Sequence, residues 1–180
     1  MPIIIISSET VQSAQQIAQA AAGELGYQCL GPEVLADIAA KYGIQADKLS
    51  EALGNDQPKF RRMRAKRRSQ LLAYIEAEVL DRLMSDNIIC WGVASHLYVQ
   101  GVSHAMKVRL LANSGQEAEK VAQQSGISAQ RALKSIQNAI RKQKQWALSA
   151  YGLDESESAM YDLVINLDQI DPDEIGRAHV

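Results

Sequence analysis

IIIISSETVQSAQQIAQAAA, residues 3–22, is the stretch that decides the fold. Its β-branched run, Ile3 to Ile6, predicts a strand, and a helical pattern follows from Ala14 to Ala22. A strand, loop and helix in this order open most parallel nucleotide-binding folds, where backbone N–H groups and a helix dipole converge on a phosphate. Such a loop needs glycine, because its backbone takes positive φ and passes close to the ligand. The first 22 residues contain neither glycine nor lysine.

The rest of the chain predicts a parallel sheet covered on both faces. Further strands are predicted at Asn87 to Gly92, Met106 to Ala112 and Asp162 to Asn166, with a weaker one at Tyr27 to Leu30. They are short, largely apolar and separated by helical stretches, which is typical of parallel α/β proteins. We therefore expect a three-layer α/β/α fold with a parallel sheet of about five strands.

Helix boundaries are marked by proline, glycine and serine. The predicted helices run from Glu33 to Tyr42, from Ala46 to Leu53, from about Pro58 to Met84, and from an N-cap at Ser128 to a stop at Gly152. The third of these is the longest, and its apolar residues from Leu71 to Leu83 keep helical spacing.

Length and composition indicate one domain. The chain has 180 residues, 47% of them hydrophobic, and a net charge of −2, which argues against general affinity for nucleic acid. Its two cysteines, Cys29 and Cys90, lie in apolar stretches without the spacing of a metal site, as expected of reduced thiols. Because no long apolar run or signal-like segment is present, we expect a cytoplasmic protein without a membrane partner.

The carboxyl terminus does not look native. Residues 175–180, IGRAHV, are what one reading frame of a common sequencing adapter encodes. Asp173 and Glu174 before them resemble the first turn of a helix that does not develop. We therefore expect a single domain over residues 1–174, cut short at its carboxyl end, followed by an adapter-derived tail.

Several segments together resemble the cytidylate kinase-like family of P-loop proteins, relatives of the nucleoside monophosphate kinases. The matching features are Ile6-Ser7 with Glu9 and Ile17-Ala18, Leu25-Gly26-Tyr27 followed by Glu33-Val34-Leu35, the strand and turn from Asn87 to Ala94, and Tyr151-Gly152 with Tyr161 to Asn166. Each is weak alone, but together they span nearly the whole chain up to Glu174. The resemblance implies a P-loop NTPase-like fold.

The departures from the family pattern fall on the residues that would do the chemistry. The resemblance places the phosphate-loop glycines at Val11, Ser13 and Ala14, an Asp-Arg pair at Gly31-Pro32, the Arg of a Gly-Arg-Gly turn at Val93, and the lid arginines near Glu117 and Gln143. Lys120 is the one basic residue of this chain that can be matched to the basic residues of the family pattern.

As an enzyme, a member of this family would move a phosphoryl group from ATP to a CMP-type nucleotide with Mg²⁺. Phosphoryl transfer depends on positioning and on cations that stabilise the spread negative charge. The resemblance therefore implies a catalytically impaired protein, a pseudokinase, which uses ATP and Mg²⁺ only if some activity survives. Vestigial phosphate contacts would come from Ser7, Ser8, Ser13 and Lys120, although local capping of the next helix is an alternative role for the serines.

A basic segment opens the longest predicted helix. It consists of Lys59, Arg61, Arg62, Arg64, Lys66, Arg67 and Arg68, with no acid among them. Three interpretations stay open: a solvated helix end, a site for the phosphate of a mononucleotide or a nucleic acid, and a docking surface for an acidic partner. The rival function is therefore a non-catalytic binding module that uses residues 59–68, and a third is a structural or oligomer-forming relic.

The remaining aromatic, histidine and acidic residues are interpreted as structural rather than functional. Trp91 and Trp146 are expected to be packing residues, and His96 and His104 lack the neighbours of a nucleophile pair. The acidic stretch from Asp154 to Ser158 is interpreted as a solvated turn. The sequence does not indicate an oligomeric state.

Overall fold

The computed structural model describes residues 3–54, 63–112 and 114–168. It contains five parallel strands, β1 (Ile3–Ser8), β2 (Gln28–Leu30), β3 (Ile88–Trp91), β4 (Ala105–Leu111) and β5 (Leu163–Asn166). Their order across the sheet is β2-β3-β1-β4-β5. The first strand therefore lies at the centre, pairing with β3 on one side and with β4 on the other.

Helices connect these strands on both faces of the sheet. They are α1 (Val11–Leu25), α2 (Val34–Tyr42), α3 (Ala46–Ala52), α4 (Ala65–Leu83), α5 (Ser95–Tyr98), α6 (Ser114–Ser125) and α7 (Ala129–Tyr151), and a short 3-10 turn at Ser158–Met160 precedes β5. The prediction of a three-layer, parallel α/β fold is confirmed.

Each face of the sheet has its own apolar core, because successive strand residues point to opposite sides. Ile5 of β1 belongs to the larger core, with Ile38 of α2, Leu49 of α3 and Ile75 of α4. Ile6 belongs to the smaller core, which packs Ile17 and other residues of α1 against the sheet. The two faces of β1 thus join the two helical layers.

Two predicted cap glycines end their helices in the expected left-handed conformation. Gly43 follows α2 with φ 62°, and Gly152 follows α7 with φ 69°. Ser128 accepts a hydrogen bond from the backbone N–H of Arg131 and so caps α7, as predicted. Trp91 and Trp146 are both buried in the cores, which confirms their packing role.

Two helix starts differ from the prediction. Helix α1 begins at Val11, three residues before the predicted pattern, because the absence of glycine allows the helix to extend back towards the strand. Helix α4 begins at Ala65, and Arg64 before it is the N-cap residue in an extended conformation, so the basic segment is only partly helical among the described residues. The predicted start near Pro58, like the tail at residues 175–180, lies outside the described residues.

Among the described residues, none of the helices combines the length and the apolar composition needed to cross a bilayer. The cytoplasmic location stays a prediction.

Candidate functional site

A cleft of about 540 Å³ opens where β1, β3 and β4 approach their carboxyl ends. Ligands of open parallel sheets bind at this edge. It is lined by residues that follow β1 and β3 and by Leu53 and Gly54 after α3. Helix α7, which contacts Gly54 through Trp146, contributes Ser135, Asn138, Ala139, Ile140, Lys142 and Gln143. Its volume lies in the usual range of small-molecule pockets, roughly 300–1,000 Å³.

The connection between β1 and α1 is too short to form a phosphate-binding loop. The strand ends at Ser8 and the helix begins at Val11, which leaves Glu9 and Thr10 between them. The family positions of the loop glycines, Val11, Ser13 and Ala14, are all helical. The backbone N–H of Ala14 donates to the carbonyl of Thr10, so it is already used inside the helix.

A buried carboxylate lies at the first turn of α1. Ser13 Oγ accepts from Thr10 Oγ1 at 2.8 Å and donates to Glu117 Oε1 at 3.0 Å. Glu117 is 7% exposed, and Lys120 Nζ is 4.0 Å from the same oxygen. The helix dipole favours a negative charge at this end. Glu117 therefore supplies from within the chain the kind of charge that an anionic ligand would bring.

Arg109 of β4 lies at the floor of the cleft and is held by three neighbours. It is 7% exposed; its Nη1 is 3.2 Å from Ser7 Oγ and 3.3 Å from the Tyr161 hydroxyl, and its Nη2 is 3.5 Å from Glu9 Oε1. Burial raises the pKa of Tyr161, so its phenol stays neutral and donates to the Glu155 carbonyl at 2.9 Å. The guanidinium is thus fixed in place with its charge opposed by Glu9.

A second buried pair, His96 and Glu155, also lines the cleft. These residues are 6% exposed each, and His96 Nε2 lies 3.4 Å from Glu155 Oε2. The alignment does not make a hydrogen bond, and His96 Nε2 has no hydrogen-bond partner among the residues that the structure describes. Buried polar atoms are nearly always satisfied in folded proteins. This nitrogen is itself buried, so the pair lies within the wall of the cleft rather than on its open surface.

The turn after β3 is strained. Gly92, Val93 and Ala94 take φ values of 66°, 45° and 58°, a left-handed run that β-branched valine rarely adopts. Ser95 partly supports it, since its N–H and its hydroxyl both donate to the Gly92 carbonyl. Strain of this kind clusters at functional sites. All three residues line the cleft.

Of the four residues predicted to contact phosphate, only two lie in the cleft. Ser7 and Ser8 line the cleft, where Ser7 accepts from Arg109 and Ser8 accepts from the N–H of Thr10. Ser13 faces Glu117 instead, and the Lys120 side chain is 65% exposed on α6 beside a separate polar groove. Ser8 thus makes a local contact just before α1, whereas the Ser13 bond to Glu117 is long-range, and within the described residues no side-chain hydrogen bond caps α1 at its N-cap residue Thr10.

The predicted anion-binding residues of the basic segment do not converge on the cleft. Arg61 and Arg62, with Lys59, lie outside the described residues. Arg64 and Arg67 are exposed at the start of α4, where Arg67 donates to Gln70, and Arg68 is half-buried. None of these three described arginines lines the cleft.

Sequence reasoning missed the residues at the centre of the cleft. His96 was given no role, and the interpretation of residues 154–158 as a solvated turn is wrong at Glu155, which is buried. Because the residues next to Glu155 in the sequence are polar, the sequence pattern predicts that it is exposed. Arg109 could have been found, because it is the second charged residue in the otherwise apolar MKVRLLA stretch and lies in the central part of a buried sheet.

Comparison with known proteins agrees with this architecture. The model of the cytidylate kinase-like family matches residues 3–169. A protein named cytidylate kinase from Ignicoccus hospitalis is 24% identical over 180 residues, which cover 97% of this chain and 95% of the relative.

Solved structures share the fold at lower identity. An uncharacterized protein from Eubacterium ventriosum has a TM-score of 0.68 at 15% identity, covering 98% of this chain and 94% of its own. A gluconokinase from Sinorhizobium meliloti has a TM-score of 0.54 at 14% identity, with 98% and 87% covered.

Proposed function

Because the chain belongs to the cytidylate kinase-like family, we propose that it is a kinase-like protein whose capacity to transfer phosphate from ATP to CMP-type nucleotides is impaired, a pseudokinase. The observation that carries this proposal is the start of α1 at Val11, with only two residues between it and the end of β1. A phosphate loop needs a run of backbone N–H groups that are free to face the ligand. Here a helix takes the place of the loop, so the chain offers only the N–H groups of the first helical turn and not a concave loop of amides that surrounds a phosphate.

The charges around this helix support the same conclusion. Glu117 lies at the first turn of α1, and Glu9 opposes Arg109 at the floor of the cleft. A triphosphate would bring further negative charge next to both carboxylates. Catalysis of phosphoryl transfer depends on cations that stabilise negative charge. The two carboxylates therefore disfavour both the binding of a triphosphate and the transition state of its transfer.

The residues present do not fit a Mg²⁺–triphosphate complex. In a P-loop, a lysine reaches the terminal phosphates and a hydroxyl on the following residue binds the metal ion. In this chain residues 1–22 contain no lysine, and the hydroxyl of Ser13 is hydrogen-bonded to Glu117.

The experiment is a turnover assay with ATP, CMP and Mg²⁺ at high protein concentration, run beside an active cytidylate kinase. We expect no CDP above the level of a blank without protein. Turnover on the order of one per second or faster, as in working kinases, would contradict the proposal.

A second candidate function is a binding module for polyanions or an acidic partner at the start of α4. The observation in its favour is that Arg64, Lys66 and Arg67 are exposed at the positive end of the helix dipole, where they gain nothing from the helix itself. Binding of a short oligonucleotide that weakens steeply between low and moderate salt would support it. Equal binding by an Arg64→Ala, Arg67→Ala variant would exclude these residues.

A further inference from the structure

We propose that helices α6 and α7 form a strap that closes against the cleft without a ligand, and that the hydrogen bond between Ser13 and Glu117 is its clasp. The strap consists of α6, the turn at Gly126 and α7, so it covers residues 114–151. This inference goes beyond the proposed function, because it concerns how the cleft is opened and closed and not what is transferred there.

The middle of the strap is held by few buried contacts. Its buried residues lie near its two ends and at one position between them: Glu117, Ala118, Ala132, Trp146 and Ala147. Within the described strap, none of residues 133–145 is buried, although several of them line the cleft. Segments with so few buried contacts open on their own, at a lower free energy than the whole protein. The position of this wall of the cleft therefore depends on how the two ends of the strap are attached.

The carboxyl end of the strap is anchored in the apolar core. The indole N–H of Trp146 donates to the Ala52 carbonyl at 2.8 Å in a buried hydrogen bond. The indole also packs against Gly54, where an added Cβ would lie 2.8 Å from Trp146 Cγ. Tyr151 meets the same indole edge-on, with the ring centroids 5.7 Å apart. Because this end buries a large aromatic side chain, it is the end that stays in place when the strap opens.

The other end of the strap is held by polar contacts with α1. Glu117 Oε1 accepts from Ser13 Oγ at 3.0 Å, and Gln124 Oε1 accepts a longer hydrogen bond, 3.4 Å, from Gln12 Nε2. The groove between the two helices has a volume of about 150 Å³, and every residue that lines it is polar: Gln12, Gln15, Gln16, Glu117, Lys120 and Gln124. Water can satisfy such groups once the helices separate, so this contact costs less to open than the core around Trp146.

The bond between Ser13 and Glu117 is the strongest contact along this groove. Glu117 is 7% exposed, and the bond joins the first turns of α1 and α6, whose partial positive charges favour a carboxylate. A hydrogen bond to a charged acceptor is roughly twice as strong as a neutral one, whereas the bond from Gln12 to Gln124 is neutral, long and exposed. Glu117 thus closes the strap from within the chain, and opening the cleft on the α7 side requires this bond to break.

The test is amide hydrogen exchange of the ligand-free protein, read residue by residue by NMR. We expect the amides of α6, and those of α7 up to Gln143, to exchange at least about 100-fold more slowly than an unstructured peptide but faster than those of β1. Ser13→Ala should accelerate exchange in the strap by about tenfold or more, because it removes the clasp. Glu119→Gln, exposed on α6 and outside the groove, is the control and should change little. Unprotected strap amides in the original protein, or no acceleration by Ser13→Ala, would overturn the inference.

A core variant separates opening of the strap from unfolding of the whole protein. Ile88 is buried at the amino end of β3, at the opposite edge of the sheet from the cleft. Ile88→Val should accelerate exchange in β1 by about twofold to tenfold, because those amides are exposed only when the core unfolds, and should leave exchange in the strap unchanged. Equal acceleration in β1 and in the strap would show that the strap opens only with the whole protein, which would refute the proposal.

A milder variant keeps the inference testable if Ser13→Ala does not fold. Glu117→Gln keeps the acceptor oxygen and the size of the side chain but removes the charge that the two helix ends favour. Exchange in the strap should therefore rise by about twofold to fivefold. Strap amides that exchange at the rate of the original protein would contradict the role of Glu117 in the clasp.

Discussion

Ser13 Oγ lies 3.0 Å from Glu117 Oε1, and this buried hydrogen bond joins the first turn of α1 to the first turn of α6. Both helix ends carry partial positive charge, which favours the carboxylate between them. The family resemblance places a glycine of the phosphate loop at Ser13 and a lid arginine near Glu117, and in this chain the two side chains bind each other. The contact stabilises the fold at the position where a nucleotide kinase would hold phosphate.

The first prediction concerns this pair. Ser13→Ala removes the donor and leaves a buried carboxylate without it, so we expect a loss of about 1.5–3 kcal/mol in the free energy of unfolding, measured in urea. The double variant Ser13→Ala, Glu117→Ala should cost less than the sum of the single variants. Gln15→Ala, exposed on the same helix, is the control and should change little. Additive costs would show that the two side chains are not coupled.

The second prediction tests the strained turn after β3. Ala94 has φ 58°, which glycine adopts without steric cost, so Ala94→Gly should stabilise the protein by about 1 kcal/mol. Ala73→Gly, at an exposed position inside α4, should instead destabilise it by about 0.5–1 kcal/mol. Thermal or urea unfolding of the two variants gives the comparison. A destabilising Ala94→Gly would mean that the turn is not strained at this residue.

The third prediction concerns the contact between Gly31 and Trp91. A Cβ atom at Gly31 would lie 2.5 Å from Trp91 Cε2, and the indole is buried in the core. Gly31→Ala should therefore destabilise the protein by about 1–3 kcal/mol. Gly23→Ala is the matched control, because nothing lies within 4 Å of its added Cβ in α1, and it should stabilise by about 0.5–1 kcal/mol. Equal effects of the two changes would contradict the described packing.

The fourth prediction is a pH dependence that comes from Asp154. Hydrogen bonds from the Ser156 hydroxyl and then from Lys144 lower the pKa of Asp154 from its ordinary 3.8 to about 2. Because the folded-state pKa is the lower one, the stabilisation is present above pH 3.8 and is lost as the pH falls towards 2. Urea unfolding at a series of acidic pH values measures it.

The control for this pH effect is Asp154→Asn, which does not ionise. The variant should be less stable than the original protein at neutral pH, and the two stability curves should converge as the pH falls to about 2. Parallel curves over this range would show that Asp154 does not contribute to the acid sensitivity.

The sequence predicts the sheet because strands and cap glycines have local signals. The apolar run at Ile3 and the stop at Gly152 require no knowledge of distant residues, and both are confirmed. The start of α1 was missed since the family pattern led us to expect a loop there. Without glycine, residues from Val11 onwards gain more from helical hydrogen bonds than from an open loop.

The candidate site is less accessible to sequence reasoning, because its residues come from separate elements. His96 follows β3 and Glu155 precedes β5, nearly 60 positions later, so their contact depends on the order of strands in the sheet. Glu155 also lies among polar neighbours that predict exposure. The spacing of apolar residues therefore predicts the helices and strands that form the cores. The polar residues of the cleft come together only in the tertiary structure.

The most direct test of the account follows the backbone amides of residues 9–14 by NMR while ATP and Mg²⁺ are added. Because helix α1 and Glu117 occupy the place of a phosphate loop, we expect no saturable change in the amide shifts of Thr10, Val11, Gln12 and Ser13. Saturable shifts confined to these amides, with ATP bound at micromolar concentration, would contradict the central claim that the chain lacks a working phosphate site.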